Sequence, residues 1–378
     1  MSEAGVETLT LEPEVGRPRT RIRIGRGLLT RLPALLAEEV PAPAYAVVSD
    51  DRVAELYGVG IRDALREAGR TAELFTFPAG EASKTTDRWA ELVEGFGEMG
   101  LGRDGCVVAV GGGVATDLAG FAAAAYARGV PYVPVPTSLL GMIDAAIGGK
   151  SAVDLRAGKN LAGAFHHPPL VVVDPTVLDT LPDDELRTGL AEAVKHGAIA
   201  DAGYFEFLAS SAGEVLGRSP AAMDRLIRGS IRIKAGVVDR DAAETGERAI
   251  LNFGHTIGHG VERATAYAVQ HGQAVAIGLV AEARIGERIG VTRAGTADRI
   301  REALNAFGLR TEVPPHVDTA EVLASARSDK KAREGRVRYA LIAGIGESAR
   351  SDGAWTHAVP DAEVEAVLGP GPGGPHAV

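Results

Sequence analysis

Two histidines four residues apart, His255 and His259, stand in the run Asn252-Phe253-Gly254-His255-Thr256-Ile257-Gly258-His259. On a helix this spacing puts both imidazoles on one face. A third histidine, His271, follows in the next segment, and Glu192 sits in Gly189-Leu190-Ala191-Glu192-Ala193-Val194-Lys195-His196. Two imidazoles with one carboxylate make a catalytic zinc set that leaves positions open to substrate oxygens. Spacing alone does not say which two histidines would serve, and it also suits surface or helix-capping roles. The protease pattern His-Glu-x-x-His is absent, because Thr256 stands where the glutamate would.

A second constellation suits a dinucleotide. The apolar run Cys106–Val110 leads directly into Gly111-Gly112-Gly113-Val114-Ala115-Thr116-Asp117, which opens a helical pattern. Successive glycines let backbone N–H groups approach a pyrophosphate, and a helix N-terminus adds partial positive charge. The spacing is not the common G-x-G-x-x-G, so an ordinary strand-to-helix turn is the competing explanation. Asp50, at the end of an earlier apolar run, is placed to accept hydrogen bonds from a ribose.

These residues need a frame. Apolar runs at 45–48, 74–77, 106–110, 132–135 and 170–173 alternate with helical patterns to about residue 68, over 84–99 and after 113. That alternation predicts a Rossmann-like α/β domain with a mostly parallel sheet over residues 1–182. From 183 the texture becomes long helical patterns, so 183–368 is expected to be a mainly α-helical domain, with Val337–Ile342 as a strand that rejoins a sheet. The tail 369–378, rich in Gly and Pro, is expected to be disordered. The chain has 378 residues and a net charge of −10. Nothing global attracts it to nucleic acid or anionic membrane, so an anionic substrate needs a local basic cluster. No secretory leader and no run of about 20 apolar residues is visible, which points to a cytoplasmic protein. The single cysteine, Cys106, reads as a small buried hydrophobe rather than a reactive thiol.

Taken together the motifs resemble the 3-dehydroquinate synthase family of sugar-phosphate cyclases. The resemblance is carried by Gly111–Phe121, Tyr126-Ala127-Arg128-Gly129, Pro136-Thr137-Ser138-Leu139, Asp144–Lys150, Gly158-Lys159-Asn160, Gly189–Lys195, Asn252–His259, His271-Gly272 and Asp329-Lys330-Lys331, in family order over about residues 45–345. It implies that Glu192, His255 and His271 hold a divalent metal, Zn2+ or Co2+. It sets NAD against Asp50, Glu81, Lys84, Gly112, Gly113, Val114, Ala115, Thr116, Asp117, Thr137, Ser138, Lys150, Lys159, Val177, Leu178, Asp179 and Thr180. Asp144, Lys150, Asn160, Lys195, Lys234 and Arg248 would line the substrate. Asn252, His259 and Lys330 or Lys331 would meet its phosphate, with Arg128 reaching in from the partner of a homodimer. Family enzymes oxidise a ring hydroxyl, eliminate phosphate, re-reduce the ketone, open the ring and close a carbocycle by an aldol reaction. The expected substrate is 3-deoxy-D-arabino-heptulosonate 7-phosphate.

Arg248 lies four residues before Asn252, which in an α-helix would set it on the same face. Lys195 and Lys234 also suit solvated helix faces, and His166 and His167, before a proline, suit a loop. Gln273 replaces the family's usual glutamate beside His271, and Ser151-Ala152 its Thr-Gly. Cyclases of sedoheptulose 7-phosphate or glucose 6-phosphate handle substrates without a carboxylate, and Lys234 with Arg248, the pair that resembles the family's carboxylate-recognising positions, argues against them. An amino-substituted heptulosonate keeps that carboxylate and stays open. A metal-dependent polyol dehydrogenase would lack the phosphate-contacting set, and a non-catalytic scaffold would not need it.

Overall fold

The computed structural model describes residues 5–11, 19–327 and 337–369, so Lys330, Lys331 and residues 370–378 of the expected tail lie outside the described residues. Contacts divide the chain into two compact units, Met1–Pro182 and Asp183–Val378.

In the first unit the strands that read as unbroken apolar runs are also the most buried. β1 (Glu7–Leu11) and β2 (Thr20–Ile24) alternate exposed and buried residues, as half-covered strands do. β3 (Ala44–Asp50), β5 (Cys106–Gly111) and β6 (Tyr132–Pro136) are buried almost throughout, and β4 (Thr71–Phe77) is an edge. These four pair in parallel in the order β4-β3-β5-β6. Such strands read as unbroken apolar runs because both faces are covered. On one face Val47, Val108 and Val133 pack with Leu32 and Leu36 of α1 (Leu32–Glu39) and with Leu65. On the other, Ala46, Val48 and Val107 meet Phe96 and Leu118. Short α2 (Asp51–Val53) leads toward α3 (Val59–Glu67), while α4 (Thr86–Glu98) and α5 (Gly113–Ala125) carry the second face. Cys106 is fully buried in β5, and burial pushes its thiol pKa up.

β3 has β4 on one side and β5 on the other, so the chain changes winding direction between β3 and β5, and ligands of such sheets bind at the carboxyl ends of those strands. Two features went unforeseen in sequence. β7 (Lys150–Leu155) and β8 (Gly158–Phe165) form an antiparallel hairpin. β9 (Leu170–Val173) pairs in parallel with β2, so the strand order of the unit cannot be read from the apolar runs alone.

The second unit is built on α6 (Asp183–Ala200), α7 (Ala202–Ser210), α8 (Ala212–Leu216), α9 (Pro220–Arg240), α10 (His255–Ala264), α11 (His271–Arg288), α12 (Thr296–Ala306), α13 (Thr319–Arg327) and α14 (Asp361–Leu368). The expected single strand over 337–342 is corrected. Arg338–Tyr339 pairs with His357–Ala358, whereas Ile342–Gly344 turns back on Glu347–Ser348. Ala340 and Leu341, between the two pairings, lie in neither strand.

Helices α10 and α11 approach backbone to backbone. A Cβ on Gly278 would run into the Gly254 carbonyl oxygen, and one on Gly258 would lie 3.0 Å from the Ala274 carbonyl oxygen. Gly254 itself is left-handed at φ +81°. Around the contact Ile257, Val261, Ala274, Ile277 and Ala281 form one buried cluster. Overpacking a tight core costs about 1–3 kcal/mol, and more where backbone must move. Gly278→Ala should therefore lower the urea midpoint of the second unit by an amount equivalent to about 3 kcal/mol or more. A midpoint equal to wild type would mean that the helices slide apart without penalty.

Candidate metal centre and cofactor cradle

Three elements of the second unit bring one donor each to a common point. α6 contributes Glu192, the first residue of α10 is His255, and the first residue of α11 is His271. The carboxylate is fully buried. Its Oε1 lies 3.3 Å from His255 Nε2 and 3.3 Å from His271 Nε2. Ligands about 2.0–2.1 Å from a tetrahedral zinc are separated by about 3.3–3.4 Å, so this spacing fits a metal of that size. All three donor atoms lie within 4.8 Å of one another. His259, by contrast, turns toward Glu262, with Nε2 at 4.0 Å from Oε2, and forms a second possible group with Glu262 and His271.

Glu262 is absent from any sequence-based expectation. It is buried, and its Oε1 lies 3.5 Å from His271 Nδ1, on the ring edge away from Glu192. A carboxylate on the far nitrogen fixes the tautomer and the ring orientation of a metal-binding imidazole. The available signal was its position seven residues after His255, on the same helical face. Gln273 does not take that role. Its Oε1 accepts the Arg310 backbone N–H at 2.8 Å.

Burial raises the Glu192 pKa, but the Lys195 ammonium at its Oε2 and the two imidazoles outweigh burial and hold it well below the usual carboxylate range. Burial pushes His255 down to about 4, against the pull of Glu192. Burial disfavours charge on His271 as well, yet hydrogen bonds to Glu192 and Glu262 push it up to about 10.

Lys234, on α9, and Arg248 are both buried. Arg248 and Asn252 lie in the 3-10 segment Glu247–Asn252, not in an α-helix, so the expected sharing of an α-helical face is corrected. Asp241 organises the approach to this segment. Its carboxylate accepts the N–H groups of Thr245, Gly246 and Arg248 at 2.9, 2.8 and 2.9 Å, and Arg248 Nη1 donates to the Ala242 carbonyl at 2.9 Å.

In the first unit the carboxyl ends of β3 and β5 bring Asp50 beside the glycine run that opens α5. A Cβ on Gly111 would sit 2.5 Å from Ala115 Cβ and 3.4 Å from Asp50 Oδ2. Only glycine lets the chain pass there. Asp50 Oδ1 accepts Val53 N–H at 3.0 Å, which leaves the other oxygen facing the glycines. Thr137 donates its N–H to the Gly111 carbonyl at 2.9 Å, and Ser138 Oγ lies 3.3 Å from a Cβ built on Gly112. Val177 and Thr180 are tied to the Tyr57 hydroxyl, at 3.3 Å from the Val177 carbonyl and 2.7 Å from Thr180 Oγ1. Ala115 and Leu178 have buried side chains, so only their backbones could serve a ligand; Asp179 is exposed.

Buried Lys84 is a hub. Its ammonium donates to Asp117 Oδ2 at 2.6 Å and to Asn160 Oδ1 at 2.6 Å. Lys159 Nζ lies 3.7 Å from Glu81 Oε1. The start of β8 thus carries Lys159 and Asn160 to the Lys84–Asp117 pair, and Asn160, left-handed at φ 55°, is fixed by its N–H on Asp154 Oδ1 at 2.8 Å. Lys150 is exposed at the start of β7, and Asp144 is half-buried in the turn Gly141–Ala145. Arg128 is exposed at φ 68°, next to Ala127 at φ 49°, a left-handed pair that turns the side chain outward.

Comparison with known proteins agrees across the chain. Models of the 3-dehydroquinate synthase N-terminal and C-terminal domains match residues 74–188 and 189–332. A 3-dehydroquinate synthase of Symbiobacterium thermophilum is 44% identical over 336 residues, covering 88% of this chain and 94% of its own. One of Xanthomonas campestris pv. campestris is 43% identical over 367 residues, with 95% and 96% covered. Among solved structures, 2-deoxy-scyllo-inosose synthase complexed with carbaglucose-6-phosphate, NAD+ and Co2+ has a TM-score of 0.87 at 26% identity, over 96% of this chain and 99% of that one. The 2-epi-5-epi-valiolone synthase of Streptomyces hygroscopicus, with NAD+ and Zn2+ bound, has a TM-score of 0.83 at 30% identity, over 95% and 98%.

At about pH 8 a metal entering the trio must expel the proton that His271 carries, since that pH lies below its value near 10. His255, with a value near 4, is already neutral there. Zinc uptake should release about one proton, and affinity should climb about tenfold per pH unit before flattening above pH 10. Calorimetry in buffers of different ionisation heats checks this. Uptake without proton release would show that His271 is not the ligand being deprotonated.

Proposed function

This chain belongs to the 3-dehydroquinate synthase family, and we propose from that membership that it converts 3-deoxy-D-arabino-heptulosonate 7-phosphate to 3-dehydroquinate and phosphate. The observation that carries the reading is the second unit's combination of a Glu192–His255–His271 donor set with buried Lys234 and Arg248. The fold alone does not choose among cyclases, because synthases named for other products share it. The basic pair is what suits a carboxylated substrate.

In this reading Glu192, His255 and His271 would hold Zn2+ or Co2+, and Glu81, Lys84, the Gly112–Asp117 segment, Thr137, Ser138 and Lys159 would hold NAD. When bound, the metal would polarise a substrate hydroxyl, and NAD would take up a hydride and give it back, with no net oxidation. The chain's own residues bind and orient. Arg248 and Lys234 grip the carboxylate, the first with a planar fork and the second with a point charge. Lys195 holds a proton beside the site through its contact with Glu192. Asn252, His259 and Lys330 or Lys331 receive the phosphate, with Arg128 supplied by a second copy in a homodimer. These donors neutralise a leaving group that itself collects the proton from the acidified ring carbon. We infer a cytoplasmic setting too. It is supported by a buried, unpaired cysteine and by the finding that no described helix is long and apolar enough to cross a membrane.

The test is an assay with 3-deoxy-D-arabino-heptulosonate 7-phosphate and catalytic NAD. Phosphate should appear without matching NADH, whereas sustained one-to-one NADH would support a polyol dehydrogenase. A charge-assisted bond is worth about 1.5–3 kcal/mol, and leaving a buried carboxylate unpaired costs more, so Arg248→Ala should lower kcat/KM by about tenfold to several hundredfold. Arg248→Lys should rescue it only partly. Equal or better turnover of sedoheptulose 7-phosphate, with Arg248→Ala harmless, would move the chain to a cyclase of non-carboxylated substrates.

A further inference from the structure

Eleven residues after His271 on α11 stands another carboxylate, Glu282, three helical turns along the same face. It is fully buried. Its Oε2 accepts the Gly254 N–H at 2.7 Å and its Oε1 accepts the Ile257 N–H at 3.0 Å. Those two amides bracket His255. They belong to the first turn of α10, whose N–H groups have no partner within the helix and which carries the positive end of the helix dipole. Gly254 enters the turn left-handed at φ +81°, with Leu279 N only 2.9 Å from where a Cβ would be. The start of α10 is thus pressed onto α11 and locked there by two bonds to one carboxyl group.

We propose that Glu282 is a positioning residue for the metal centre, which sets the backbone around His255 so that its imidazole meets the one at the head of α11. The inference rests on the reading that Glu192, His255 and His271 hold the metal. It goes beyond that donor set by assigning the alignment of the two histidine-bearing helices to a group bonded to the backbone on either side of His255. A carboxylate suits the task because both of its oxygens accept. A glutamine would offer one acceptor and one amino group, and the amino group would face a backbone N–H with no lone pair to give.

The experiment titrates metal-free protein with Co2+ alone, following its visible absorption, and with Zn2+ against a competing chelator. Glu282→Gln should fold, by far-UV circular dichroism, and keep NAD affinity, while its metal dissociation constant rises by about 10–100-fold, the usual effect of losing a group that holds a ligand in place. Its Co2+ band should shift or lose intensity, which loss of overall stability alone would not cause. Glu282→Asp keeps the charge but is one carbon shorter, and should fall between. A dissociation constant within about twofold of wild type, with an unchanged band, would overturn the proposal and leave Glu282 a helix cap only. If neither variant folds, hydrogen exchange on the wild type decides. Protection of the Gly254 and Ile257 amides should survive metal removal; free exchange there would show that the metal, not Glu282, organises the turn. His255→Ala separates the two readings. Unchanged Co2+ affinity in that variant would sink the metal assignment itself, whereas lost affinity beside a normal Glu282→Gln sinks only the role given to Glu282.

Discussion

The second unit depends on one carboxylate taken out of water. A buried, ionised Glu192 is tolerable only if positive or polarised groups close around it, since desolvating such a charge otherwise costs several kcal/mol. Lys195 answers from the same helix, one turn away, and the two imidazoles answer from α10 and α11. Three helices must therefore converge to within hydrogen-bonding distance. Glycines at 254, 258 and 278 make that approach possible, because any side chain there would hold two of the helices apart. The chemistry and the packing are two views of one requirement.

The first unit solves a related problem with a lysine. Burial lowers the Lys84 pKa, but Asp117 and Glu81 outweigh it and raise it above the usual lysine value. The ammonium then ties the helix after the glycine turn to the hairpin that carries Lys159 and Asn160. A hairpin with several exposed residues is in this way anchored at the start of its second strand.

How much of this was legible in the sequence follows from the kind of signal each element sends. β3, β5, β6 and β9 are uninterrupted apolar runs, and burial on both faces leaves no other reading. β7 and β8 mix Lys150, Asp154, Lys159 and Asn160 with small residues, so neither a period of two nor an apolar run stands out. The histidine spacing of α10 announced a helical face, whereas Glu262 and Glu282 looked like any solvated glutamates on helices. Only tertiary packing turns them inward. Arg248 and Asn252 show the opposite failure, in which a correct spacing was given the wrong helix type.

Cys106 opens β5, an inner strand of the four-stranded sheet, its sulfur buried against the Val107 carbonyl at 3.5 Å. The sequence holds no other thiol. A thiol reagent can reach this chain only while β5 is open to solvent, so the rate of labelling reads the opening of the first unit's sheet and is silent about the second unit. The molecule carries its own clock for the breathing of its nucleotide-side core, and any cysteine introduced at the surface would be the one fast-reacting label on a chemically quiet background.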